Sequence, residues 1–279
     1  MGSALIETLR DEGNEVTIWN RTREKVEALA GGRVTVADSV AEALEASPVT
    51  LVSVTDYEAT RQVLAGEEDG LGGRTLVQVS NGTPDAARAL ERRVSRAGGD
   101  YLDGTVFSYP KAVGTDDLLI MYSGDPEVFD TYRGLLEQLG GTASHLSDDP
   151  GTASALDLAA VPPAMLAAMA IWQGAKICEV EGVPFETFAE VIQGLVPAIA
   201  EDALQKAADP DLPADPDKVE VSVRQAAEDA QRPIDYFESV GMDAGVFRAV
   251  KRLFEAGVEQ GRGEHDVSCV AELQADHPQ

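Results

Sequence analysis

Apolar positions fall into two regimes along the chain. In the first, short β-branched runs at 15–20, 49–54, 75–80, 101–107 and 118–123 each predict a strand. Between them, stretches at helical spacing over 22–30, 57–64, 84–97 and 126–139 predict helices. Repeated strand-helix units of this kind build a mostly parallel α/β sheet, a Rossmann-like doubly wound architecture that binds nucleotides. The second regime follows the turn-rich run 147–151, after which strands stop. Residues 152–181 are apolar and alanine-rich almost all round, predicting a long interdomain helix, and further helical spacing covers 185–207, 218–239 and 244–260. The domains are therefore expected at 1–149, an α/β nucleotide-binding domain, and 150–279, the long helix with an all-helical domain.

Prolines refine this picture. Val161-Pro162-Pro163 is expected to interrupt the long helix, since each proline lacks an N–H and crowds the preceding turn. Residues 209–218, rich in proline and aspartate, predict a loop.

Composition narrows the class. A chain of 279 residues has room for two cores, and 44% hydrophobic with only 5% aromatic residues fits a globular α/β or helical chain better than a disordered one. No stretch is expected to supply the run of about 18 apolar residues that spans a membrane. No charged-then-apolar leader marks the start, so the cytoplasm is the default location. Cys178 and Cys269 lack metal or disulfide spacing, and His145, His265 and His277 show no ligand pairing, so no metal is expected. A formal charge of −27 would repel phosphate backbones and argues against nucleic acid.

Two ends of the predicted sheet carry candidate chemistry. Gly2 opens an amphipathic stretch as the third glycine of a dinucleotide fingerprint would, permitting close packing of helix on strand; the first two glycines and the strand carrying them either lie upstream of Met1 or are missing from the cofactor site. Where the strand at 15–20 ends, Asn20, Arg21, Thr22 and Lys25 stand in place of the acidic residue that holds an NAD ribose. Cations at a helix start oppose the helix dipole unless an anion sits there, which suits the 2′-phosphate of NADPH. Val54, Thr55 and Asp56, with Asn81, Gly82 and Thr83, lie at two further strand ends and are expected to border the cofactor cleft.

Taken in order, the segments MGSAL, WNRTREK, Asp103-Gly104, GTDDLLIMYSG, Gly140-Gly141, Gly151 and GRGEHDVSCVAE resemble the β-hydroxyacid dehydrogenase superfamily, which includes 6-phosphogluconate dehydrogenase-like proteins, and within it the imine reductases. Acid-reducing members carry a catalytic lysine six residues after the glycine that opens the long helix, with asparagines three and four further on. Here Asp157, Ala160 and Val161 hold those positions. Their Ser-Gly-Gly carboxylate anchor is replaced by Phe107-Ser108-Tyr109. An anionic Asp157 would repel a carboxylate substrate and attract an iminium, so the resemblance implies NADPH-dependent reduction of a cyclic imine with Asp157 as the catalytic residue. Phe107, Ser108, Tyr109, Met165 and Trp172 are candidates for the substrate pocket. The resemblance also implies a homodimer interlocked through the helical domain, with neither nucleic acid nor membrane as a partner. The alternatives are a β-hydroxyacid dehydrogenase or semialdehyde reductase with an altered proton donor, and an NADPH-binding protein without turnover.

Overall fold

The structure is a computed structural model that describes residues 1–209, 215 and 217–273. Most of the predicted loop at 209–218, and His277, lie outside the described residues. Two compact units are present, Met1–Ala170 and Ile171–Gln279, dividing within one long helix.

The first unit runs α1 (Gly2–Asp11), β1 (Val16–Ile18), α2 (Glu24–Glu27), β2 (Val34–Val36), α3 (Val40–Glu45), β3 (Val49–Val52), α4 (Tyr57–Val63), β4 (Thr75–Gln78), α5 (Pro84–Arg96), β5 (Asp100–Val106), β6 (Leu119–Gly124), α6 (Pro126–Glu137), β7 (Thr142–His145) and the first turns of α7 (Gly151–Glu181). Its strands form two hydrogen-bonded pieces, a parallel pair β1-β2 and a five-stranded sheet in the order β3-β4-β5-β6-β7. All pairings are parallel except β5 with β6. Alternation along the strands sends side chains to opposite faces. On β4 and β5, Leu76 and Tyr101 enter a core with Leu44, Leu64, Leu90 and Val94, while Val77 and Leu102 enter another with Leu5, Leu9, Phe129 and Leu136. Helices thus cover both faces of the sheet, the arrangement that buries parallel strands.

Local chemistry sets the helix starts. Asp56, Thr83 and Asp125 each place a side-chain oxygen on a first-turn N–H, and Pro84 and Pro126 follow two of these caps at a position where no N–H is needed. The strands β2 and β7 and the helix α3 escape the sequence patterns because they are short. In β7 only Ala143 is buried, so no apolar run announces it.

Pro162-Pro163, the place of the expected kink, does not end the helix: α7 runs over 31 residues through both prolines. The missing N–H groups leave the carbonyls of Leu158 and Ala159 without helical partners, on a stretch that is exposed in the single chain. The expectation that no stretch is long and apolar enough to span a membrane is also corrected, since α7 contains an 18-residue window of mean hydropathy 1.6.

The second unit holds the remainder of α7, α8 (Phe185–Ala207), α9 (Val223–Asp229), α10 (Gln231–Ser239), α11 (Gly245–Glu259) and α12 (Val270–Leu273). The single helix expected over 218–239 is two, because Pro233 has no N–H for the carbonyl of Asp229 and is tolerated only in the first turn of a new helix. Ile234, Phe237 and Ala244 form a small core with Ile177 and Phe247. The fully buried Asp266 accepts from the backbone N–H groups of Ser268 at 3.0 Å and Glu220 at 3.3 Å, fastening the segment before α12 to the start of α9.

Candidate functional site

Because β3, β4 and β5 are parallel, the loops at 53–56, 79–83 and 107–109 leave the sheet at one edge. The start of α1 meets this edge, where a Cβ built on Gly2 would lie 3.8 Å from the Ser53 carbonyl oxygen. That is ordinary contact, so the approach is close but alanine would also fit. No side chain caps α1 and its first turn holds no acidic residue, which leaves its positive end open to an anion.

From that edge α1 runs away and, after Gly13, β1 returns to deliver residues 20–25. Asn20 Nδ2 donates to the Thr22 carbonyl at 3.1 Å and shapes the turn. Arg21, Thr22 and Lys25 are exposed, and neither cation forms an ion pair among the described residues. Arg23, unremarked in the sequence patterns, is committed instead to Glu27 and Asp38. Two unpaired cations at a helix start, in a chain of charge −27, fit a phosphate group.

The next two loops are joined by the Val54 N–H donating to Ser80 Oγ at 3.0 Å. Asp56 accepts from Ala59 N at 2.8 Å and Thr83 from Ala86 N at 3.2 Å, so both predicted cofactor residues serve as helix caps. Thr55 and Asn81 are exposed and make no side-chain hydrogen bond among the described residues. Gly82 is sterically fixed, since a Cβ there would stand 2.0 Å from the Tyr57 ring.

Asp157 lies one turn beyond Ser154 on the buried face of α7 and is 7% exposed. Among the described residues nothing hydrogen-bonds or ion-pairs with it, and burial pushes its carboxyl above the ordinary carboxylate value. Ala160, where acid-reducing relatives carry asparagine, is exposed, and Val161 is half-buried.

The predicted pocket residues scatter. Phe107 is half-buried at the edge. Ser108 Oγ donates to the Asp117 carbonyl at 3.1 Å and accepts from Leu119 N at 3.2 Å, closing the β5-β6 connection. Tyr109 is 78%, Met165 64% and Trp172 67% exposed, so this chain by itself encloses none of the three. Within the second unit Trp172 lines an open cleft of about 480 Å³ with Cys178, Val183 and Phe185.

A buried polar cluster at the start of α7 went unread in the sequence. Asp103, fully buried on β5, accepts at Oδ1 from Tyr57 and from Tyr101 at 3.0 Å, and at Oδ2 from Ser154 Oγ at 2.8 Å. Burial pushes its carboxyl up to about 6 against the opposing pull of the three hydroxyls. A folded value above the unfolded one means that protonation favours the folded chain. This contribution is fully present below the unfolded value and is lost as pH rises through about 6. Between pH 4 and pH 7 the unfolding free energy of the native chain should fall by about 2 kcal/mol relative to Asp103→Asn. Denaturant titrations of both proteins at the two pH values check this, and a constant difference would contradict it. The signal available in the sequence was a carboxylate amid apolar residues of a central strand, YLDGTVF.

Comparison with known proteins matches residues 1–147 to the NAD binding domain of 6-phosphogluconate dehydrogenase and residues 149–276 to the C-terminal domain of NADPH-dependent reductive aminase-like proteins. An imine reductase from Myxococcus stipitatus, solved with NADP+, superposes with a TM-score of 0.89 at 31% identity, covering 98% of this chain and 96% of that one. A Streptomyces aurantiacus imine reductase gives 0.87 at 29% identity, over 98% and 95% of the two chains. The NADPH-dependent reductive aminase of Aspergillus oryzae is 29% identical over 160 residues, a match spanning 57% of this chain and about half, 54%, of that protein's length.

Proposed function

The chain belongs to the imine reductases of the 6-phosphogluconate dehydrogenase-like superfamily, NADPH-dependent oxidoreductases acting on C=N bonds, and from that premise we propose that it reduces a cyclic imine or iminium to the amine. The observation that carries this reading is Asp157, a buried carboxyl without a partner among the described residues, on the helix face where acid-reducing relatives carry lysine.

The start of α1 would hold the pyrophosphate of NADPH, and Arg21 and Lys25, with Asn20 and Thr22, the 2′-phosphate. Loops 54–56 and 81–83 would flank the remainder. When bound, the cofactor supplies a hydride to the imine carbon. Asp157 acts on the nitrogen: burial favours its protonated form, which can donate, and its ionised form stabilises the positive charge of the iminium. Its negative charge disfavours a carboxylate substrate, as does the loss of the Ser-Gly-Gly anchor at Phe107-Ser108-Tyr109.

A second copy of the chain would complete the enzyme. Over its 23 residues α8 buries none in the single chain, and Val191, Leu195 and Ile199 form an exposed apolar stripe at four-residue spacing. On α7, Leu158, Met165, Met169 and Trp172 do the same. A homodimer interlocked through these helices would cover both stripes and bring apolar walls to the substrate.

The test is turnover. Oxidation of NADPH with a pyrroline, slower with NADH and absent with semialdehyde acids, is expected. The reverse substrate preference would favour a hydroxyacid dehydrogenase instead, and cofactor binding without turnover on any imine would favour a non-catalytic role.

A further inference from the structure

The first two turns of α7 are held by an unusual set of bonds. Thr105 Oγ1 donates to the Ala153 carbonyl at 3.0 Å, Ser123 Oγ accepts from Ala153 N at 3.0 Å, and Ser154 donates to Asp103. Just before the helix, Arg88 grips Asp149 through Nε at 2.9 Å and Nη2 at 2.7 Å. Apolar packing would attach the helix as firmly, without the cost of burying a carboxylate. What these directed bonds add is a fixed rotation and height of the helix relative to β5, because each tolerates only a few tenths of an ångström of slip.

Ser154 and Asp157 are three residues apart, about 60° apart around the helix and about 4.5 Å along it. Whatever fixes Ser154 therefore fixes Asp157. The other side of the cluster reaches the cofactor loops. Tyr57, within 2.9 Å of Ser154 Oγ and bonded to Asp103, follows directly on the loop at 53–56, and its ring lies against Gly82.

We propose that Asp103, Tyr57 and Ser154 are positioning residues that set the orientation of Asp157 and tie it to the loops at 53–56 and 81–83. This rests on the catalytic role of Asp157 proposed above. Asp103 is fully buried, and its three hydroxyl donors come from three elements, α4, β5 and α7. Displacing a reacting group by about 1 Å is enough to lower turnover by about 10²-fold, so the loss of one oxygen from this cluster should be visible in kcat.

The experiment is a double-mutant cycle on imine reduction with NADPH. Ser154→Ala and Tyr57→Phe each remove one oxygen and leave their packing, on different elements, so the loss of fold in one leaves the other to decide. Each should lower kcat by about 10-fold or more with the KM for imine and the NADPH dissociation constant within about 3-fold. In the Asp157→Asn background the same changes should have almost no further effect, since residues acting through one group are not additive. The same fold-loss in both backgrounds, or an unchanged kcat in the native background, would overturn the positioning role. Were Asp157→Asn itself without effect, the reading of Asp157 would fail first, and the two failures are thus separable.

Discussion

Replacing Asp157 with asparagine is expected to lower kcat for cyclic imine reduction by about 10²-fold or more while NADPH affinity changes by less than about 3-fold. A positioned acid or base contributes about 10²- to 10⁴-fold to a rate, and asparagine keeps the size of the side chain while removing both the proton and the charge. The residue lies on α7 and not on the loop at 20–25 that is proposed to grip the cofactor phosphate, so the cofactor constant should not follow kcat. Burial raises the carboxyl of Asp157, and the sign of the pH dependence follows. If the protonated form donates, turnover is highest below the raised value and declines as pH rises through it. Steady-state kinetics across pH, with NADPH binding followed by fluorescence, check both points. Equal losses in kcat and cofactor affinity would mean that Asp157 belongs to the cofactor site.

The second large effect concerns assembly. If the proposed dimer forms through α8, Leu195→Asp combined with Ile199→Asp should yield a monomer and lower activity by about 10²-fold or more. These side chains are 49% and 58% exposed in the single chain, on a helix with no fully buried residue. Covering the half of each that is still exposed is worth about 1 kcal/mol, and an unpaired carboxylate in the same place costs several more. Light scattering at matched concentrations gives the mass, and the imine assay gives the rate. A double variant that remains dimeric and active would show that this face of α8 is not the interface. The proposed dimer would also cover α7, since a helix apolar nearly all round requires some apolar partner.

How far the sequence led differs from element to element. The helices at 57–64, 84–97, 126–139 and 185–207 were legible to within two residues, because their starts carry side-chain caps or prolines and their apolar residues recur at helical spacing. The pair β1-β2 was half-read: the run at 15–20 is apolar enough to notice, while Val34–Val36 is too short to carry a pattern. The division of 218–239 needed the knowledge that Pro233 would begin a helix rather than sit inside one. At the site, Arg21 and Lys25 were found from their charge, yet only the fold distinguished them from Arg23, whose guanidinium is already paired. Asp56 and Thr83 were read as cofactor contacts from topology, and the fold assigns their side chains to helix caps.

Alternating strand and helix runs before residue 147, helices after it, and an aspartate six residues after Gly151 are periodic or covalent features, legible in the chain alone. These are properties of neighbours along the chain, and local physics is enough to read them. Which distant groups meet depends instead on packing. Tyr57, Asp103 and Ser154 are far apart in sequence and each is unremarkable alone. A buried carboxylate becomes meaningful only when the hydroxyls that satisfy it are known, and those are supplied by three elements that packing brings together. The same holds for Asp157, whose burial and lack of a partner among the described residues depend on the face that α7 turns to the sheet.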